Sequence, residues 1–401
     1  MTKKPTTREA PSRSKVKVEP RRGRGAPIGK PTGGGASTRK AAPARMIGVA
    51  DLDDIAVGGA ILGTGGGGDP YIGKLMAQQA IRKHGPVRMI DANEVKDDDL
   101  VVPCAMMGAP TVMVEKIPQG EEILIAFRKL ERFLGKKIDA ILCAEAGGLN
   151  STIPFVIGAM TGIPVIDGDG MGRAYPELQM VTFTMHGVSA TPMVIVDDKG
   201  NSVLLECIDN RWTERLARAA TIEMGGSVLI SLYPMTGKIA KKASVRGTLT
   251  LARRLGEILR ESRASHADAV KAIQSKLDAA TIFEGRVTDI ARRTETGFAR
   301  GEAKFIGVDD YRGHTYRIEF QNEFLIAEQD GKSIVTTPDL ITLLDADTGA
   351  PITTETIRFG LRVVAIAIPC APQWRTPAGL ALIGPRYFGY KVDYRPFKAP
   401  A

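Results

Sequence analysis

From residue 46 onward the chain alternates between hydrophobic positions with helical spacing and short, continuous apolar runs. Apolar residues at 52, 55, 56, 59 and 62 share one helical face, and further helices are predicted at about 71–83, 121–134 and 151–160. Buried strands are predicted at 87–90, 100–104, 138–143 and 164–166. Because strands that alternate with helices are typical of βαβ units, we predict an α/β domain with a mostly parallel sheet and flanking helices.

The pattern becomes β-rich in the second half of the chain. Apolar runs at 193–196 and 202–205 flank Asp197-Asp198-Lys199-Gly200-Asn201, which predicts a β-hairpin. Helices follow at about 211–224, 247–262 and 266–279, and short β-rich runs separated by turn residues extend from 281 to 368. We therefore predict an α/β domain at 46–208 and a second domain at 209–401, which is helical first and then a smaller β-rich module.

The charge of the chain is concentrated at its beginning. The sequence holds 54 Lys and Arg against 45 Asp and Glu, and residues 1–45 alone carry 13 basic and 2 acidic side chains. The same segment contains six Pro, six Gly and no Phe, Trp or Tyr, so it cannot bury enough apolar area to offset its ordering entropy. We predict a disordered basic tail at 1–45, and nucleic acid is expected to bind only weakly, through this tail.

The remaining composition excludes a membrane span and favours a reducing compartment. No apolar stretch approaches the ~18 residues that cross a bilayer. Four scattered cysteines, without a C-x-x-C pair, are typical of buried thiols in an intracellular protein. We therefore expect a cytoplasmic protein. We also expect a homo-oligomer, although no sequence feature indicates its size.

A glycine-rich loop separates the first two predicted helices. It reads Gly63-Thr64-Gly65-Gly66-Gly67-Gly68-Asp69-Pro70. Asp69 is a predicted N-cap, and Pro70 is a predicted first helical residue. Free N–H groups at Gly65, Gly66, Gly67 and Gly68 can therefore bind a substrate atom, and we predict these four glycines and Asp69 as substrate-binding residues. The loop lacks the P-loop spacing and follows a helix, so no nucleotide cofactor is expected. The alternative is a purely structural tight connection.

Two polar clusters follow predicted strands, where an open α/β sheet binds its ligands. The first combines Glu145 with Asn150 and Ser151, either of which can instead cap the next helix. The second combines Asp167, Asp169 and Arg173 within a glycine-rich run that is alternatively a turn. We predict Glu145, Asp167 and Asp169 as catalytic carboxyls, and Asn150, Ser151 and Arg173 as substrate-binding residues.

His186 is the fourth predicted catalytic residue, although a lone histidine is more often structural. No sequence spacing indicates a structural zinc site. The sequence leaves open a site for a divalent metal that is held by scattered carboxylates and His186.

Four motifs together resemble the S-methyl thiohydantoin desulfurase family. They are the glycine-rich loop, residues 145–151, the run 167–179, and Gly384-Pro385-Arg386-Tyr387-Phe388-Gly389-Tyr390. The similarity covers about residues 46–392 in a two-domain arrangement and leaves the tail uncovered.

The resemblance implies that water adds to the carbon between the two ring nitrogens of a thiohydantoin, a small cyclic amide, and that a thiol leaves. From residue chemistry, Glu145 or Asp167 is the expected base, and a protonated carboxyl or His186 the expected acid. Backbone N–H groups of Gly65 to Gly68 would stabilise developing charge, and Arg173 would orient the ring. The alternative is a non-catalytic partner of a hydantoinase- or oxoprolinase-type enzyme, with which the family is associated.

Overall fold

The predicted βαβ units form the centre of a large mixed sheet in the computed structural model. The structure describes residues 45–68, 70–109, 112, 116 and 118–399. The predicted tail, apart from its last residue, and the predicted N-cap Asp69 therefore lie outside the described residues.

The helices and strands have the following bounds. The helices are α1 Val49–Leu62, α2 Pro70–His84, α3 Glu122–Leu134, α4 Ile153–Thr161, α5 Thr182–Met185, α6 Asn210–Glu223, α7 Gly237–Ala243, α8 Thr248–Ser265, α9 Ala269–Leu277 and α10 Pro377–Ile383. The strands of the first half are β1 Arg45–Ile47, β2 Val87–Ile90, β3 Leu100–Gly108, β4 Ala140–Cys143, β5 Val165–Ile166, β6 Gly168–Asp169, β7 Met193–Val196, β8 Ser202–Leu205, β9 Ser227–Ser231, β10 Met235–Thr236 and β11 Val245–Arg246. Those of the second half are β12 Ala280–Glu295, β13 Phe298–Gly307, β14 Thr315–Gln321, β15 Glu323–Gln329, β16 Lys332–Thr336, β17 Leu340–Asp345, β18 Pro351–Ile352 and β19 Arg362–Ile368.

The first sheet has the strand order β1-β2-β5-β4-β3-β9-β7-β8, with β10 also paired to β3. Strands β2, β5, β4 and β3 are parallel, as predicted, whereas the strands on either side of them pair in the antiparallel sense. The predicted hairpin is confirmed as β7–β8, and its turn is held by the Asp197 carboxylate, which accepts from the N–H of Lys199 and Asn201. The α/β class and the flanking helices are confirmed.

The second sheet consists of strands β12 to β19 in the order β16-β15-β14-β13-β12-β19-β17-β18. All of its pairings are antiparallel. Its core is built from aromatic and branched side chains such as Phe283, Phe305 and Phe324. The β-rich module is therefore confirmed. Its first two strands, β12 and β13, are far longer than the short runs that the sequence pattern predicts.

A buried arginine joins the two sheets. Arg173 is fully buried, and its guanidinium donates to the hydroxyl of Thr64 and to the backbone carbonyls of Ala174, Phe324, Pro338 and Asp339. The Phe324 N–H in turn donates to the Thr64 carbonyl at 2.8 Å. These contacts bring the start of β15 against the glycine-rich loop.

Two further expectations concern cysteines and membranes. The four cysteines are free, with Cys104, Cys143 and Cys370 buried as predicted and Cys207 half-buried.

Among the described residues, no helix has both the length and the apolar character required to cross a bilayer.

Candidate functional site

The glycine-rich loop is packed on both sides by backbone and by one acidic side chain. Gly67 has a φ of 79°, and a Cβ there would collide with the backbone of Gly147, so only glycine fits. A Cβ on Gly66 would instead collide with the carboxyl group of Glu323. The glycine-rich loop thus contacts the segment after β4 on one side and the start of β15 on the other.

The loop that follows β4 fixes the direction of Glu145. The Asn150 side chain accepts from the N–H of Met106, at the end of β3, at 2.7 Å and donates to Glu145 Oε1 at 2.5 Å. The N–H of Tyr175 lies 3.4 Å from the other carboxylate oxygen, Oε2. Asn150 is therefore a positioning residue for Glu145.

Glu145 faces a cavity at the carboxyl ends of β3 and β4. The cavity, with its open mouth included, spans about 600 Å³ of space that no protein atom fills. Its wall is formed mainly by apolar side chains and backbone atoms, and eight polar residues also line it. These polar wall residues are Glu145, Asn150, Tyr175, Glu177, Arg218, Tyr233, Asn322 and Glu323.

Glu323 is one of several wall residues that the sequence did not indicate. It is the first residue of β15 and is 2% exposed, and its Oε2 has no hydrogen-bond partner among the described residues. A buried polar atom of this kind is costly unless a ligand or water satisfies it. The only signal in the sequence was a Gln-Asn-Glu turn directly before an apolar strand, which reads as an ordinary turn.

The two wall carboxyls hold their protons more tightly than exposed glutamates do. Burial raises the pKa of Glu145 to about 7, although the hydrogen bonds from Asn150 and Tyr175 act in the opposite direction. Burial and the nearby charge of Glu145 raise the pKa of Glu323 well above its usual range. Near neutral pH the pair therefore offers a carboxylate at Glu145 and a protonated carboxyl at Glu323.

Asp167 and Asp169, predicted as catalytic, lie in other surroundings. The Asp167 carboxylate caps α8, where it accepts from the N–H of Leu249 and Thr250 and from the Thr250 hydroxyl. The Asp169 carboxylate is fully buried and accepts three backbone N–H groups, from Ala146, Met171 and Gly172. Neither side chain lines the cavity, so both positions favour a structural role.

Asp169 nevertheless supports the site. Its bond from the Ala146 N–H, at 2.7 Å, holds the residue next to Glu145. Burial raises the pKa of Asp169 to about 7, and its charge is one of the effects that raise the pKa of Glu145. Asp169 thus affects the cavity through Glu145, without lining the cavity itself.

Three other predicted residues also lie off the cavity wall. All five N–H donors of Arg173 are used by protein atoms, so it has none left to orient a substrate. Ser151 donates to the Gly147 carbonyl, and His186 is exposed at the end of α5. Of the four predicted loop glycines, Gly67 and Gly68 line the cavity, whereas Gly65 and Gly66 pack against β15.

Arg218 is the positively charged residue among those that line the cavity. It is 7% exposed and donates to Glu214 at 2.8 Å and to the Pro176 carbonyl at 3.0 Å, and its guanidinium lies 4.1 Å from the ring of Phe298. Within the described part of the chain, no group of three or more His, Cys, Asp or Glu side chains is arranged to hold a metal ion.

Comparisons with known proteins agree with this architecture. Family models match the S-Me-THD-like N-terminal domain at residues 50–207 and the S-Me-THD-like C-terminal domain at residues 208–397. An X-ray crystal structure of a protein from Chromobacterium violaceum is similar with a TM-score of 0.74 and 24% identity, over 88% of this chain and 100% of that chain, which shows the shared fold. No curated protein matches the chain. The family matches identify this chain as a member of the S-Me-THD-like family, the S-methyl thiohydantoin desulfurase family that its motifs predict.

Proposed function

We propose that the protein is a hydrolase for thiohydantoin-type cyclic amides, which releases a thiol from S-methyl thiohydantoin and leaves a hydantoin. The observation that carries the proposal is the pair of buried carboxyls, Glu145 and Glu323, on the wall of one cavity. Their pKa values are raised to different extents, which is the usual way to obtain one base and one acid at neutral pH. A flat, small ring suits a cavity lined by the backbone of Gly67 and Gly68.

In the first step, water adds to the ring carbon that carries the methylthio group. The Glu145 carboxylate takes one proton from the water, whose oxygen bonds to the carbon. The electron pair of the carbon-nitrogen double bond moves to the nitrogen, which takes the proton of Glu323. General acid and base groups of this kind each typically contribute ~10²–10⁴ in rate.

In the second step, the tetrahedral intermediate collapses. Its hydroxyl group gives a proton to the Glu323 carboxylate while the carbon-sulfur bond breaks. The departing methanethiolate takes the proton that Glu145 received from water. One proton of water thus ends on the thiol and the other on Glu323, where it replaces the proton that went to the ring nitrogen, so both carboxyls return to their starting states.

The experiment is a thiol-release assay with the full chain and S-methyl thiohydantoin. We expect Glu145→Gln to lower kcat by about 10²- to 10⁴-fold because it removes the base. Asp167→Asn is the matched control, since it also neutralises a carboxylate next to a glycine-rich turn but lies off the cavity, and it should keep near wild-type kcat.

Two outcomes of this assay would contradict the proposal. Full activity of Glu145→Gln would remove Glu145 as the base. Absence of turnover by the wild-type protein, together with co-purification in fixed stoichiometry with a hydantoinase-type enzyme, would favour the accessory role.

A further inference from the structure

A second concave region lies on the face of the β-rich sheet, away from the cavity wall. It is lined by β12, β13 and β14 and by the C-terminal segment, and it encloses about 1340 Å³ of empty space, open solvent included. Its walls include Arg293, Arg300 and Gln321 together with the aromatic rings of Phe388 and Tyr390. We call this region the arginine groove.

Three hydrogen-bond donors stand side by side across the groove. In the sheet register Arg293 is opposite Arg300 on β12 and β13, and Arg300 is opposite Gln321 on β13 and β14. Side chains directly opposite in neighbouring strands lie on the same face, about 5 Å apart. We call Arg293, Arg300 and Gln321 the donor row.

The two arginines of the donor row repel each other unless an anion lies between them. Like charges directly opposite in a sheet are destabilising. Arg293 contacts Glu295 at 2.8 Å, but both side chains are more than half exposed, so this pair neutralises little. Arg300 lies over the ring of Phe298 at 5.5 Å.

The acidic residues of the groove, Glu302 and Glu319, are paired with Arg317, which also lines the groove. Arg317 contacts Glu302 at 2.9 Å and Glu319 at 2.7 Å, and Lys304 also contacts Glu302, at 3.2 Å. These carboxylates are therefore largely neutralised by their own partners. The positive charge of Arg293 and Arg300 stays unbalanced within the groove.

Gln321 gives an independent indication of a ligand. Its side chain is 5% exposed, yet its Nε2 donates to no acceptor among the described residues. Because an unsatisfied buried donor is costly, native proteins rarely leave one without a partner. An acceptor placed between Arg300 and Gln321 would satisfy both.

We propose that the donor row binds the phosphate or carboxylate group of a small anionic molecule. Both groups are planar or fork-shaped acceptors that match the paired N–H groups of arginine. The apolar part of such a molecule would pack against Phe388 and Tyr390, whose rings form the adjoining wall. Gln321 is followed directly by Asn322 and Glu323, so the ligand would lie beside the turn that enters the catalytic cavity.

The test is isothermal titration calorimetry of the full chain at low salt, with inorganic pyrophosphate and citrate as separate probes. We expect one or both to bind with a Kd below about 1 mM, and the stronger of the two identifies the phosphate or the carboxylate class. Arg293→Gln/Arg300→Gln should weaken binding by about tenfold or more. Arg286→Gln/Arg312→Gln, which removes the same charge from exposed positions outside the groove, should bind like wild type.

Gln321→Leu provides a second variant that removes no charge. We expect weaker binding together with unchanged or higher thermal stability, because the change removes an unsatisfied buried donor. The proposal is overturned if neither probe binds the wild-type protein at about 10 mM, or if the groove variants and the control bind equally. The measurement needs no turnover, so its result is separate from that of the thiol-release assay.

Discussion

At the scale of single residues, the site depends on where each carboxyl lies and not on how many carboxyls the motifs contain. Glu145, Asp167 and Asp169 follow two strands in similar glycine-rich runs, yet only Glu145 reaches the cavity. Asp167 caps a helix and Asp169 binds three backbone N–H groups. The sequence indicated all three carboxyls as candidates but gave no means to rank them, because capping by Asp167 depends on a helix about 80 residues further along the chain.

The raised pKa of Glu145 predicts a pH dependence of stability. An unfolded glutamate titrates near 4.3, whereas in the folded protein the pKa of Glu145 is about 7. Between these values the folded state binds more protons, so this group stabilises the fold at low pH, and that contribution is lost as pH rises through 7.

Urea unfolding at several pH values between 4.5 and 7.5 measures this contribution. The free energy of unfolding of Glu145→Gln should fall less steeply with pH than that of wild type, by up to about 1 kcal/mol per pH unit. Glu206→Gln, at an exposed position, is the control and should follow wild type. Equal slopes for Glu145→Gln and wild type would show that burial does not raise this pKa.

At the scale of elements, the sequence predicts the parallel centre of the first sheet because its strands are buried on both faces and alternate with helices. Helix α3 ends at Gly135, whose φ of 63° favours glycine, so its boundary was also predictable. The length of the β12–β13 hairpin was not, because the end of β12 is exposed and polar and shows no apolar alternation. The antiparallel β9 was not either, because its partners β3 and β7 lie far along the chain. Glu323 was missed for the same reason, since its approach to Gly66 depends on the packing of one sheet against the other.

The contact between the glycine-rich loop and β15 predicts a specific effect of Gly66→Ala. The added Cβ would push the Glu323 carboxyl, which ends a flexible side chain, away from its position. We expect kcat to fall by about 10- to 100-fold with a small loss of stability, because the acid would be misplaced.

Gly162→Ala is the control for this change. Gly162 ends α4, and a Cβ there would meet no atom within 4 Å, so only its φ of 72° is strained. This variant should lose some thermal stability and keep its kcat. If Gly66→Ala keeps wild-type kcat, the loop does not position Glu323.

At the scale of the whole molecule, the basic charge and the candidate chemistry belong to different parts of the chain. Residues 41–401 form one compact unit by themselves, whereas most of the excess basic charge lies in residues 1–40. A chain that lacks residues 1–40 should therefore keep the thermal midpoint and the thiol-release activity of the full chain. Any salt-sensitive binding of nucleic acid should disappear, and a filter-binding assay at two salt concentrations measures it. Loss of activity on deletion would assign the tail a role in catalysis.

The central claim is that Glu145 acts as a base and Glu323 as an acid in one cavity. Its most direct test is kcat/KM for thiol release against pH, for wild type and Glu323→Gln. The wild-type profile should rise as pH increases through about 7, where Glu145 loses its proton, and fall at higher pH, where Glu323 loses its proton. The variant should keep the rise, lose the fall and have a lower maximum. An alkaline limb that is unchanged in Glu323→Gln would contradict the account.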